Sequence, residues 1–145
     1  MSRHTARERA FQFLYQLEIR PDDYLAQREY LFLSDPIKDE EDLSYFDRLV
    51  TGVRDNREAI DEIISRYLRG WTMERQLLID LSILRLSVFE LLFDDDVPAE
   101  IAISEAVIFA NEYGTDESRS FINAVLGSIE KHEKKRVNDA DKEYE

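Results

Sequence analysis

The chain has 145 residues, 43% hydrophobic and 35% charged, with four Gly, three Pro, no Cys and a formal net charge of −13. That is enough apolar material for a single domain, and too few turn-forming residues for a β-sandwich. The lack of cysteine excludes disulfides, thiol catalysis and zinc–thiolate sites, and the charge confines any nucleic-acid contact to a local basic patch.

From Thr5 to about Arg20 the spacing predicts an amphipathic helix, with Ala6, Ala10, Phe13, Leu14 and Leu17 on its buried face. Pro21 stops it, and Asp22 or Asp23 is placed to cap a short second helix carrying Tyr24, Leu25, Tyr30, Leu31 and Leu33. Ser34-Asp35-Pro36 breaks the chain, and Asp39 to Asp42 form an acidic entry to the next helix, where each negative group contributes about 0.3–1 kcal/mol. Leu43, Phe46, Val50, Val53, Ile60, Ile64 and Tyr67 keep a helical period, read either as two helices meeting near Asp55-Asn56 or as one long helix. Arg69-Gly70-Trp71 ends this half, since Gly suits the left-handed residue after a helix. The expected organisation is one domain over 1–145, with helical subdomains of about 1–70 and 71–136 and a frayed polar tail over 137–145.

In the second half, Leu77, Leu81, Leu84, Val88 and Leu91 stripe a helix predicted from about Thr72 to Phe93. Asp94-Asp95-Asp96 and Pro98 break it and start another that runs to Tyr113. Gly114 closes that helix, and Thr115 or Asp116 is placed to cap a last one bearing Phe121, Ile122, Val125, Leu126 and Ile129. The fold class expected is all-α. No run approaches the roughly 18–20 apolar residues of a membrane span, and no secretory signal is expected, so the reading is a cytoplasmic protein with no membrane partner.

Catalytic constellations are missing. The two histidines, His4 and His132, lie near opposite ends, and no metalloprotease, nucleophile-elbow, Walker or dinucleotide-binding motif occurs. Asp94 to Asp96 fail as a calcium loop, because Ala99 stands where glycine is required, and they read as a solvated acidic turn. No enzyme activity, metal or cofactor is expected.

Basic residues gather at two places. Arg3, Arg7, Arg9 and Arg20 stand against Glu8 and Glu18 at the start, and Lys131, Lys134, Lys135 and Arg136 stand against Glu133 near the end. The first group reads either as an RNA-phosphate patch, for which the planar guanidinium is suited, or as an ordinary solvated end. The second reads mainly as a complement to the last helix C-terminus. Of the aromatics, Phe11, Phe13, Tyr15, Tyr67 and Phe121 are candidates to stack on bases, with Phe13 and Phe121 favoured as core and Tyr15 placed off the centre of its apolar stripe.

Four blocks carry a resemblance. Ala6-Arg7-Glu8-Arg9-Ala10 with Phe13-Leu14-Tyr15-Gln16 is the first, and Trp71, Arg75 and Ile83-Leu84-Arg85-Leu86-Ser87-Val88-Phe89-Glu90-Leu91 form the second. Val97-Pro98, Ala102-Ile103-Ser104-Glu105-Ala106 and Ala110 make the third, and Gly114, Glu117-Ser118 and Phe121-Ile122-Asn123-Ala124-Val125-Leu126 the fourth. In this order and spacing, over about residues 3–130, they resemble the NusB family of transcription antitermination factors. The resemblance implies about seven helices in two packed subdomains. It also implies binding of single-stranded boxA RNA as a heterodimer with NusE, a small-subunit ribosomal protein, within an RNA polymerase antitermination complex on ribosomal RNA operons. By motif position the RNA contacts fall on Arg3, Arg7, Arg9 and Arg119, and the NusE face on Tyr15, Asp80 and Glu117; Arg85 and Glu105 are expected to pair with each other or with helix ends inside the fold. An acidic face suits a basic ribosomal protein.

Several positions depart from the family pattern: Ser120 and Leu81 where basic residues are common, and Gly127-Ser128 in place of a frequent Asp-Lys. Each removes a possible phosphate contact, which sustains a second reading, a NusB-fold protein-interaction module with weak or lost RNA binding. Use of Arg3, Arg7 and Arg9 on phosphates predicts a log–log salt slope of about −2. As exposed residues, their replacement is expected to leave folding nearly intact. A monomer and a homodimer are both compatible with the sequence.

Overall fold

The structure, a computed structural model, describes residues 2–136. The expected frayed tail over 137–145 lies outside the described residues. Those residues contain seven α-helices and no strand: α1 (Arg3–Ile19), α2 (Tyr24–Ser34), α3 (Glu40–Asp55), α4 (Arg57–Ser65), α5 (Leu78–Val88), α6 (Ala99–Tyr113) and α7 (Ser118–His132). The chain forms two compact units, Met1–Gly52 and Val53–Glu145, dividing inside α3. The turn at Arg69-Gly70-Trp71, where the sequence suggests a boundary, lies within the second unit.

In the first unit, α1 starts two residues earlier than the periodicity suggests, because the Ser2 hydroxyl accepts a hydrogen bond from the Thr5 amide at 3.3 Å. Its buried face is also different. Ala6, Ala10, Phe13 and Leu14 are buried as expected, but Arg7, Arg9 and Phe11 join them and Leu17 is only half-buried. Asp23 stands at the head of α2 in the left-handed region (φ 60°), yet its side chain makes no capping bond. The turn is held instead by Gln27, whose amide nitrogen donates to the carbonyls of Arg20 (2.7 Å) and Asp22 (2.5 Å) and whose amide oxygen accepts from Gln16 at 2.8 Å. The start of α3 is capped by Asp39, which accepts from the Asp42 amide at 3.1 Å. An aromatic chain ties the three helices: Phe13 stacks on Phe46 (5.8 Å between centroids), Phe32 meets Phe46 edge-on (5.2 Å), and Tyr24 lies against Phe13 (5.8 Å). Such pairs contribute about 0.5–1.5 kcal/mol each beyond their buried area.

In the second unit the chain turns between Asp55 and Arg57, so α3 and α4 are two helices. After α4 the backbone takes left-handed values at Arg69 (φ 52°) and Gly70 (φ 89°), the second of which only glycine adopts cheaply. The helix predicted from Thr72 begins later, at Leu78. Met73–Arg75 forms a single 3₁₀ turn, Gln76 and Leu77 are extended, and Leu77 is exposed rather than part of the stripe.

From Asp80 to Asp94 every residue is buried, and α5 packs against α4, α6 and α7. It is the central helix of the unit rather than an amphipathic one. Over Phe89–Phe93 it widens into a π-turn, which places the Phe89 and Phe93 rings parallel at 6.2 Å. Two buried polar side chains anchor it. Arg85 grips Asp61 of α4 through two bonds (2.8 and 3.2 Å), and Asp94 accepts from the Asp96 amide at 2.9 Å. The acidic turn is therefore only partly solvated: Asp94 is inside, with Asp95 and Asp96 exposed.

Two of the basic residues after α7 are docked. Lys135 donates to the Val97 carbonyl (3.2 Å), and Arg136 bonds the Leu92 carbonyl through its amide and lies over the Phe93 ring (5.8 Å). Glu133 accepts from the Tyr67 hydroxyl at 2.5 Å and from Arg66 at 3.1 Å. The Tyr67 hydrogen bond, followed by the nearby Arg66 and Arg136 charges, holds its carboxyl below the usual carboxylate range.

Candidate nucleic-acid and partner interface

Arg3 and Arg7 are four residues apart on α1, hence on one face. Both guanidinium groups lie over the ring of Tyr45, at 4.6 and 5.5 Å from its centroid. Arg7 also donates to the Tyr45 hydroxyl at 2.7 Å and is only 4% exposed, whereas Arg3 is exposed. Cation–π contact of this kind contributes about 0.5–2 kcal/mol and fixes the planar group's orientation.

Arg9 turns elsewhere. It donates to the Asp35 carbonyl at 2.5 Å, lies 3.8 Å from the Asp35 carboxylate and 5.8 Å from the Phe32 ring centroid, and is 8% exposed. Of the three N-terminal arginines proposed for phosphate, the structure thus brings two together on Tyr45 and sets the third against the loop after α2. Tyr15 is half-buried on the same helix.

The remaining candidates belong to the second unit. Arg119 and Glu117 are exposed at the start of α7. The loop that presents them is built around Ser118, whose hydroxyl accepts from the Thr115 amide at 2.9 Å, while the Thr115 hydroxyl donates to Glu117 at 3.2 Å. Neither Thr115 nor Asp116 caps α7 by its side chain; the residue preceding the helix is Glu117, which makes no capping bond. Asp80, in the first turn of α5, is 5% exposed. Burial pushes its carboxyl above the ordinary aspartate range, opposed by a hydrogen bond from Ser118, and one of its oxygens has no hydrogen-bond partner. A buried carboxylate oxygen left this way is costly.

Sequence reasoning missed the residues that decide which candidates are available: Tyr45, Phe32 and Asp35 in the first unit, and Ser118 in the second. Their roles depend on neighbours from another helix or loop, which no local spacing reports. Among the expected core aromatics, Phe13 is buried while Phe121 is half-buried; Phe11 is also core, and Tyr67 is engaged by Glu133 and stacks on His132 at 6.2 Å. No three His, Asp or Glu side chains among the described residues are grouped to hold a metal ion, and none of the described helices is long and apolar enough to cross a membrane.

Comparison with known proteins bears directly on this arrangement. The NusB of T. maritima shares the fold with a TM-score of 0.81 and 36% identity, covering 91% of this chain and 92% of that one. An antitermination factor NusB solved in complex with NusE and double-stranded RNA superposes with a TM-score of 0.80 at 27% identity, over 90% of this chain and 98% of the other. Among curated proteins, the transcription antitermination protein NusB of Bacillus licheniformis is 38% identical over 132 residues, 89% of this chain and 96% of its own length. That of Thermobifida fusca is 40% identical over 130 residues, 88% of each. With the NusB family model matching residues 4–131 as well, the chain belongs to the NusB family.

Proposed function

We propose that this protein is a transcription antitermination factor that binds boxA-type RNA as a heterodimer with NusE, acts in the cytoplasm within the RNA polymerase antitermination complex on ribosomal RNA operons, and catalyses no reaction. The observation that carries the reading is the match in fold, over 90% of this chain, to a NusB crystallised with NusE and double-stranded RNA. In this proposal Arg3 and Arg119 offer exposed guanidinium groups to phosphates, and Arg7 and Arg9 shape the same end of α1 by holding Tyr45 and the Asp35 loop. Tyr15, Asp80 and Glu117 are assigned to the NusE side, where the exposed Glu117 carboxylate suits a basic protein.

Fluorescence anisotropy of a labelled boxA-type RNA, single-stranded and as a duplex, titrated with the protein alone and with NusE at two salt concentrations, tests it. Binding that tightens with NusE, weakens with salt and fails on a scrambled sequence is expected. Association with NusE without any gain for RNA would sustain the second reading, an interaction module with little RNA binding. One observation favours that alternative: two of the three N-terminal arginines are buried and already engaged within the fold. Sedimentation velocity in the same buffers reads whether the free chain is a monomer or a homodimer.

A further inference from the structure

α2 has no buried residue, although it carries Leu25, Tyr30, Leu31, Phe32 and Leu33. Its inner side is spent on the aromatic chain and on Arg28, which is held by Asp47 through bonds of 2.9 and 2.6 Å. Its outer side is the unusual one. Leu25 is 77% exposed, Tyr30 74% and Leu33 77%, and Ile19 at the end of α1 is 56% exposed. Leu25 and Leu33 are eight residues apart and therefore about 12 Å apart along one face. Beside them runs an open groove of about 960 Å³ between the end of α1 and α2, lined by Ile19, Pro21, Ala26, Tyr30 and Leu31 among others. None of the residues assigned above to RNA or to NusE lines it.

Contiguous exposed apolar side chains of this size mark a surface that is covered in use. The charges around it select what covers it. Asp22 and Asp23 are exposed in its lining, with Arg20 the cation beside them, and Glu29 is exposed on α2 one turn from both Leu25 and Leu33. Phosphate is repelled by such a rim. A second copy of this chain, itself at −13, would set acidic rim against acidic rim, and like charges juxtaposed across an interface cost affinity. A helix with an apolar stripe and flanking lysines or arginines satisfies both features at once, its stripe on Leu25, Tyr30 and Leu33 and its cations over Asp22, Asp23 and Glu29. The geometry points to the α1–α2 face as a docking site for a cationic amphipathic helix of a partner protein, built from residues other than those assigned to RNA and NusE.

The test uses the full chain, ¹⁵N-labelled, and two synthetic helical peptides of identical apolar stripe, one with lysines and one with glutamates on the polar face. The lysine peptide should bind saturably, shift amides concentrated in residues 16–34, and weaken as salt rises; the glutamate peptide should not bind. The double variant Leu25→Ser, Leu33→Ser should weaken the lysine peptide at least tenfold while keeping its circular dichroism and its affinity for boxA-type RNA, because both side chains are already in solvent. Absence of saturable binding by the lysine peptide, equal binding of both peptides, or undiminished binding by the double variant would overturn the assignment. So would concentration-dependent self-association that the double variant abolishes, or RNA shifting these same amides. RNA affinity is read separately in the double variant, so failure here and failure of the antitermination reading are distinguishable.

Discussion

Arg3 and Arg7 share one aromatic ring, yet their removal should have opposite consequences. Arg7 is buried with its guanidinium on the Tyr45 hydroxyl, so Arg7→Ala leaves a buried hydroxyl without its donor and should cost about 1–3 kcal/mol in urea unfolding. Arg9→Ala, which frees the Asp35 carbonyl, should cost a similar amount. Arg3→Ala should stay within about ±0.5 kcal/mol and lower RNA affinity instead. If Arg7→Ala proves as neutral as Arg3→Ala, the buried contact is not formed in solution. The expectation that all three arginines are replaceable without harm to folding rests on their being exposed, and Arg7 and Arg9 are buried, since net charge and motif position report which residues are basic but not which are already partnered. Asp80 shows the same gap between sequence and site. Its carboxyl is held above the ordinary range by burial, so the folded chain keeps that proton to higher pH than the unfolded chain does. Stability from this group is fully present below the unfolded value, near 3.9, and is lost as pH rises through the folded value. Asp80→Asn keeps an acceptor for Ser118 and removes the loss, so the variant's stability relative to the parent should grow between pH 4 and pH 7. A relative stability that is flat or falling over that range would mean that burial does not dominate at this site.

Among the elements, the breaks were the legible part. Pro21, Pro36, Pro98 and Gly114 act through their own backbones, and each marks the end or the approach of a helix where the sequence suggests one. Buried faces were less legible. Periodicity places Leu77 on a core stripe, but burial of α5 on all sides removes the contrast on which periodicity depends, and the helix starts at Leu78. On α2 the leucines mislead in the other direction, because their apolar character is directed outward. The α6–α7 connection is an element whose shape is set by one missing atom. A β-carbon at Gly114 would stand 2.5 Å from the Ser118 β-carbon and hydroxyl and 2.8 Å from the Ala110 carbonyl. Gly114→Ala should therefore destabilise by about 1–3 kcal/mol through overpacking. It should also displace Ser118, and with it the loop that presents Glu117 and Arg119, so NusE affinity should fall even at temperatures where the variant is fully folded. Unchanged thermal midpoint and unchanged NusE binding would show that the connection yields without consequence.

At the scale of the whole molecule, charge and fold make different demands. A surface at −13 repels a polyanion at long range and attracts a basic protein, so association with NusE should be fast at low salt and slow as salt rises, while RNA must be held by few, close contacts. The number of those contacts is measurable. Three phosphate contacts from the N-terminal arginines would give a log–log salt slope of about −2 on single-stranded RNA, and the burial of Arg7 and Arg9 reduces the expectation to one or two contacts, a slope of about −0.7 to −1.4. The same slope measured on Arg3→Ala should be shallower by about 0.7, and on Arg119→Ala by the same amount if both groups reach phosphate. A slope of −2 or steeper for the parent protein, made shallower by about 0.7 in an Arg7→Ala variant that remains folded, would instead mean that Arg7 leaves Tyr45 for the RNA, and that the ring holds the guanidinium in reserve rather than retaining it in the fold.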